Sequence, residues 1–119
     1  VQYAGLAAQS DRNHIEVHHQ YVKQTRDEVI KLLAPAGLLW ETPKGGWYAI
    51  LNLSNYTDNA DVFCRELLDS TNLALAPGRS FAPKDHKNAS SFVRMALCRE
   101  RQYTIEGAKI LLNYLSQRK

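Results

Sequence analysis

The sequence predicts an α+β fold in which helices cover a small, mainly antiparallel sheet. Segments with apolar residues at helical spacing are interspersed with short apolar runs bounded by turn residues, in the order helix, strand, helix, strand, strand, helix. The chain has 119 residues, of which 45% are hydrophobic. This is enough for one domain with a core that needs neither disulfides nor metals.

The chain begins within a helical segment. Residues 3–9 are rich in alanine and are predicted to form the last turns of a helix that starts upstream. Ser10 and Asp11 can each cap a second, long and polar helix, which is predicted over residues 15–34. The apolar residues near one stripe of that helix are Ile15, Val22, Val29 and Leu33.

Turn residues separate the long helix from the first strand. Pro35 and Gly37 end the helix, because proline cannot continue it and glycine favours a turn. After Gly45-Gly46, residues 47–53 are rich in aromatic and aliphatic side chains, which indicates a strand.

A second amphipathic helix follows this strand. Asp58 is its predicted N-cap, and Asp61 stands three residues later in the capping-box position. The helix should bury one face on the sheet, because its apolar residues recur at helical spacing: Ala60, Phe63, Cys64, Leu67 and Leu68.

The last third of the chain contains two predicted strands and a helix. Residues 73–76 form a short apolar strand that Pro77-Gly78 stops, and the polar residues 84–91 form an exposed loop. Residues 92–98 form the last strand. The final helix starts at Thr104 and buries Ile105, Ala108, Leu112 and Leu115.

One arginine interrupts the last apolar strand. Because side chains alternate along a strand, Val93, Met95 and Leu97 should share one face. Arg94 falls on the other face with Phe92, Ala96 and Cys98. A guanidinium in apolar surroundings requires an anion, and its planar fork suits a carboxylate. The residues leave two interpretations open: a structural ion pair with Glu66 or Glu100, or a ligand site.

Composition and cysteine spacing exclude several classes. The net charge of +3 comes from basic residues scattered among acids, which argues against nucleic-acid binding. No apolar run reaches membrane-spanning length, so no membrane partner is expected. Cys64 and Cys98 show neither CxxC spacing nor a multi-cysteine framework. Both are expected to be buried and reduced, as in a cytoplasmic protein.

Two further clusters have competing interpretations. His14 and His18 lie one helical turn apart, with His19 beside them, but no third metal ligand is evident. An exposed polar helix face is therefore favoured, and no metal site is predicted. The aromatic residues Trp40, Trp47 and Tyr48 could form a stacking platform, although packing in the core is the favoured interpretation.

Six short motifs occur in order along the chain. They are Tyr21 with Arg26-Asp27 and Val29, Pro43-Lys44-Gly45-Gly46-Trp47-Tyr48, Phe63 with Leu67-Leu68, Ala76-Pro77-Gly78 with Phe81, Val93-Arg94-Met95-Ala96, and Ile105-Glu106-Gly107. In order and spacing they resemble the C-terminal small domain of class I/II aminotransferases, which are pyridoxal-phosphate enzymes of fold type I. The resemblance extends from about Asn13 onward. It implies that residues 1–9 end a large-domain helix and that residues 10–119 form the small domain.

The resemblance also implies a role for Arg94. In that family the arginine on the matching strand binds the α-carboxylate of the amino-acid substrate. The loop with Pro77-Gly78 and Phe81 approaches the mouth of the active site in relatives. Contacts by Ser80 or Phe81 stay open, because Ala82 replaces the usual glycine.

The chain lacks the family's catalytic and cofactor-binding residues. No serine- and glycine-flanked lysine motif occurs, and Lys84 and Lys109 are expected to be surface residues. The resemblance therefore implies that pyridoxal 5'-phosphate is held mainly by a large domain of the same full-length protein, which would be a cytoplasmic homodimer acting on amino acids and 2-oxo acids. The alternative is a self-contained α+β binding module, which would recognise an acidic ligand or protein through its basic residues and the Gly45-Gly46 turn.

Overall fold

The structure is a computed structural model that describes residues 1–83 and 85–118. It confirms the predicted α+β class and the small antiparallel sheet. The helices are α1 (Gln2–Ser10), α2 (Arg12–Leu33), α3 (Ala60–Thr71) and α4 (Arg101–Ser116). The strands are β1 (Tyr48–Asn52), β2 (Ala76–Pro77) and β3 (Phe92–Ala96), and a short 3-10 turn (Gly78–Ser80) follows β2.

The strand with the arginine, β3, is the centre of the sheet. It pairs antiparallel with β1 on one side and with β2 on the other, in the order β1-β3-β2. In this register Ile50 of β1 and Ala76 of β2 both lie opposite Arg94. Arg94 is therefore flanked by a neighbouring strand on each side.

The core lies between one face of the sheet and helices α2, α3 and α4. Alternation along the strands sends every second side chain into it, as predicted for Val93, Met95 and Leu97. The helices contribute most of the predicted stripe residues, but α4 buries Leu111, which was not predicted, and buries the predicted Leu112 only in part. Core residues include Val29 and Leu33 of α2, Phe63 and Leu67 of α3, Ala49 and Leu51 of β1, and Ala108, Leu111 and Leu115 of α4.

The opposite face of the sheet is open. It carries Tyr48 and Ile50 of β1 together with Phe92, Arg94 and Ala96 of β3. Tyr48 and Ala96 are exposed, Ile50 and Arg94 are partly buried, and Phe92 is covered by the rings of Trp40, Phe81 and His86. The side chains that carry the chemistry therefore point away from the core.

The N-terminal helices extend beyond the core. Helix α1 has no buried residue, and in α2 the buried residues begin at Val22. The predicted break between the two helices is present, since the Asp11 side chain accepts a hydrogen bond from the Asn13 N–H at 3.1 Å. Residues 12–21 of α2 are exposed, including Ile15, which the helical stripe predicted to be buried.

The strand predicted over residues 73–76 is mostly wrong. Helix α3 ends at Thr71, and its C-cap, Asn72, has a left-handed backbone (φ 60°). The Leu73 N–H then donates to the Thr71 hydroxyl at 3.2 Å rather than to a strand. Leu73 and Leu75 pack against the core, and β2 forms only at Ala76–Pro77. Proline is tolerated there because β2 is an edge strand.

Candidate functional site

Arg94 lies on the open face of the sheet between two aromatic rings. The centre of its guanidinium is 4.3 Å from the centroid of the Tyr48 ring and 5.0 Å from that of Phe81. Tyr48 pairs with Ala96, and the Phe81 ring lies against Phe92 at 5.7 Å between centroids. Since Ala96 and Phe92 flank Arg94 along β3, the rings reach the guanidinium from opposite sides.

The two carboxylates considered as structural partners of Arg94 are engaged elsewhere. Glu66 forms an ion pair with Arg118. Glu100 accepts hydrogen bonds from the Gln102 and Tyr103 N–H groups at 3.1 and 3.0 Å. Within residues 1–83 and 85–118, no hydrogen-bond acceptor and no carboxylate pairs with Arg94. The predicted alternative of an ion pair with Glu66 or Glu100 is not formed.

Other arginines show how this chain satisfies a structural guanidinium. Arg26 pairs with Asp27 at 3.0 Å and donates to the Lys44 carbonyl at 3.2 Å. Arg101 pairs with Glu28. Arg94 has cation–π contacts but no such anion among the described residues, which is the arrangement expected of a side chain that binds an anionic ligand.

Close packing around Gly78 positions the Phe81 side of the site. The residue is buried, and a Cβ built on it would lie 2.4 Å from the Ala89 carbonyl oxygen and 2.8 Å from the Phe92 ring. Only glycine fits between these groups. The Phe81 N–H donates to the Gly78 carbonyl at 3.1 Å, which places its ring beside Phe92. Ser80 is exposed and has no described contact with Arg94.

The Tyr48 side of the site depends on the first half of the chain. The hydrogen bond from Arg26 to the Lys44 carbonyl fixes the start of the Pro43 to Tyr48 motif. Gly46 has a positive φ of 73°, which a side chain would strain. The turn leads into β1, where Tyr48 pairs with Ala96. The motif residues therefore support the strand and turn that place the ring.

The favoured core packing of the aromatic cluster is wrong. The exposed fractions are 44% for Trp40, 55% for Trp47 and 44% for Tyr48. Trp40 packs edge-on against Phe92 at 5.8 Å between centroids, on the open face. The alternation of side chains along β1 could have indicated the exposure of Tyr48. Ala49 and Leu51 face the core, so Tyr48 lies on the opposite face, which carries Arg94.

The cysteines differ in burial, and the histidines lie outside any described metal-binding cluster. Cys64 is buried as predicted, and burial together with the nearby Asp61 raises the pKa of its thiol to about 11. At neutral pH it is therefore protonated and unreactive. The expectation that Cys98 is buried is wrong, because β3 ends before it and leaves it exposed. The described residues bring together no three His, Cys, Asp or Glu side chains that could hold a metal.

The described lysines do not fit a Schiff-base site. Such a lysine needs a desolvated surrounding to lower its pKa, whereas Lys23, Lys31, Lys44, Lys87 and Lys109 are all exposed. The prediction for Lys84 falls outside the described residues. Among the described helices, each is too short or too polar to cross a bilayer.

Comparison with known proteins gives consistent structural neighbours. No family model and no curated protein sequence matches the chain. Among solved structures, an aminotransferase from Mycobacterium tuberculosis is 26% identical, with a TM-score of 0.72 over 86% of this chain and 26% of its own. Aspartate aminotransferase from Thermotoga maritima is 25% identical, with a TM-score of 0.80 over 97% of this chain and 28% of its own.

A third neighbour agrees with these two. An aminotransferase from Staphylococcus aureus is 27% identical, with a TM-score of 0.67 over 82% of this chain and 25% of its own. The resemblance to aminotransferases of fold type I that the motifs predict is confirmed. The chain spans 25–28% of the length of these neighbours.

Proposed function

We propose that this chain is the C-terminal small domain of a pyridoxal-phosphate-dependent aminotransferase, and that Arg94 binds the α-carboxylate of the amino-acid substrate. In this proposal residues 10–119 form the small domain, and residues 1–9 end a helix of the large domain. One observation carries the assignment: a partly buried guanidinium on the open face of the sheet, stacked between two rings, has no carboxylate partner among the described residues.

The geometry of Arg94 suits a carboxylate. Its N–H donors all lie in the plane of the guanidinium, and the centroids of the Tyr48 and Phe81 rings lie 4.3 and 5.0 Å from its centre. A ligand must therefore approach along the edge, where two parallel N–H···O bonds to one carboxylate are possible. The partial burial of Arg94 strengthens such a pair by excluding water.

The cofactor would belong to the large domain, because the described lysines are exposed. The contribution of this chain is to bind and orient the substrate through its carboxylate. Closure over the substrate is part of the proposal: the Arg94 to carboxylate pair exists only with substrate bound and so favours the closed form. We extend the proposal to a cytoplasmic homodimer acting on amino acids and 2-oxo acids.

The experiment replaces Arg94 in the full-length protein. Arg94→Leu keeps apolar volume in β3 and deletes the donors, so we expect folding to survive. Losing one partner of a desolvated charge pair costs roughly 2 to 5 kcal/mol, so kcat/KM for the amino acid should fall by about 30-fold to several thousand-fold. Arg65→Leu is a matched control, because Arg65 is exposed on α3.

Two further measurements separate the proposal from its competitors. An amine substrate without a carboxylate should lose far less activity, and cofactor absorbance should not change. If Arg94→Leu unfolds the protein, or lowers activity toward both substrates equally, the assignment is wrong. A self-contained binding module would instead be indicated if the gene encodes no cofactor-lysine motif upstream of Val1.

A further inference from the structure

We propose that Tyr48 and Phe81, the aromatic pair, are positioning residues that hold the Arg94 guanidinium in one plane, with its edge free for a carboxylate. The proposal rests on the function proposed for Arg94 and extends it to two residues that act through that side chain. Neither ring needs to touch the substrate for this role.

The aromatic pair comes from two separate parts of the chain. Tyr48 begins β1, whereas Phe81 follows the 3-10 turn after β2. Both rings nevertheless lie within the distance at which a guanidinium is attracted to an aromatic face, at 4.3 and 5.0 Å. The two rings reach Arg94 from opposite ends of β3, and the N–H donors that a carboxylate would bind lie in the guanidinium plane.

The exposure of the two rings argues against a purely structural role. Tyr48 is 44% exposed and Phe81 is 36% exposed, so neither ring is part of the buried core. A side chain as long as arginine would otherwise sample many rotamers on an open sheet face. Contact with two rings restricts those rotamers before a ligand arrives, which lowers the entropy lost on binding.

A second arginine in the same chain contacts two aromatic rings and also pairs with a carboxylate. Arg118 lies 5.3 Å from the centroid of Phe63 and 5.0 Å from that of Tyr114. Its Nη2 donates a hydrogen bond to the Glu66 carboxylate. Arg94 reproduces the stacking on two rings and has no such carboxylate among the described residues. The substrate carboxylate would take the position at Arg94 that Glu66 takes at Arg118.

The first test measures the Arg94 side chain in the 119-residue protein. Ring currents should shift its Nε–H proton signal upfield in NMR spectra, and Arg94→Leu identifies the signal by its loss. Tyr48→Leu and Phe81→Leu should each move this signal toward the value of a free arginine, whereas Tyr48→Phe and Phe81→Tyr should preserve it. Tyr103→Leu is the control, because Tyr103 is 66% exposed on α4. An unmoved signal in both leucine variants would overturn the proposal.

The second test measures turnover by the full-length protein. Loss of one ring should raise KM for the amino acid by about 3- to 10-fold with a smaller change in kcat, as expected for one cation–π contact. KM for an amine without a carboxylate should stay constant. In an Arg94→Leu background neither leucine variant should have a further effect, because a positioning residue acts through Arg94.

The outcomes distinguish this proposal from the proposed function. If the ring variants still change KM without Arg94, the rings contact substrate themselves and the positioning role is wrong. If Arg94→Leu has no effect on KM while the NMR signal responds as expected, the function proposed for Arg94 fails, although the rings do fix its plane.

Discussion

Arg94 is a residue whose environment the sequence describes only in part. Alternation along the strand correctly separates it from the buried Val93, Met95 and Leu97. The two rings that contact it could not be inferred, because their positions depend on strand register and on the packing of a loop. Tyr48 reaches Arg94 through the β1 to β3 register, and Phe81 reaches it through the close packing at Gly78.

At the same scale, we predict that Gly78→Ala destabilises the domain by about 1 to 3 kcal/mol, as overpacking a tight site does. The new Cβ would lie 2.4 Å from a backbone oxygen, that of Ala89, so relief requires movement of the loop. Denaturant unfolding measures the change. Gly5→Ala is the control, because nothing lies within 4 Å of a Cβ there and alanine favours the helix. Equal stability of the two variants would contradict the packing argument.

Helices are the elements that the sequence predicted best. Their caps explain where the observed helix starts differ from the predicted ones. The apolar spacing of α3 gave its buried face correctly except for Leu68, which is exposed. Its N-cap is Asn59 rather than Asp58, since the Asn59 side chain accepts from the Val62 N–H. Helix α4 starts at Arg101 instead of Thr104 because Glu100 caps it. Several polar residues near a helix start can each serve as a cap, and tertiary packing selects one.

At the element scale, we predict that Glu100→Ala lowers the free energy of unfolding by about 0.5 to 2 kcal/mol, the usual cost of losing an N-cap. The carboxylate accepts from two N–H groups at the start of α4, which also favours negative charge there. Glu106→Ala serves as the control, because Glu106 is exposed further along the same helix. Denaturant unfolding measures the change, and an unfolding midpoint equal to that of Glu106→Ala would show that Glu100 does not stabilise α4.

Across the whole molecule, apolar side chains lie exposed where the N-terminal helices leave the core. The chain measures 50 × 31 × 26 Å, and α1 together with residues 12–21 of α2 has no buried residue. Exposed apolar residues there are Tyr3, Leu6, Ile15 and Val17, and Ile15 shares a groove with Trp47. Val22 lines the same groove, and an apolar groove of this kind often marks an interface. In the proposed function it is the surface that the large domain covers.

The same surface gives a prediction for the 119-residue chain on its own. It should fold, bind a hydrophobic dye and associate at raised concentration, because water-exposed apolar area is reduced by either event. Ile15→Lys combined with Val17→Lys should lower both dye fluorescence and the sedimenting mass. Val62→Lys should leave them unchanged, because Val62 is 50% exposed on α3, outside the N-terminal helices. A monodisperse monomer that binds no dye would count against a large domain packing on these helices.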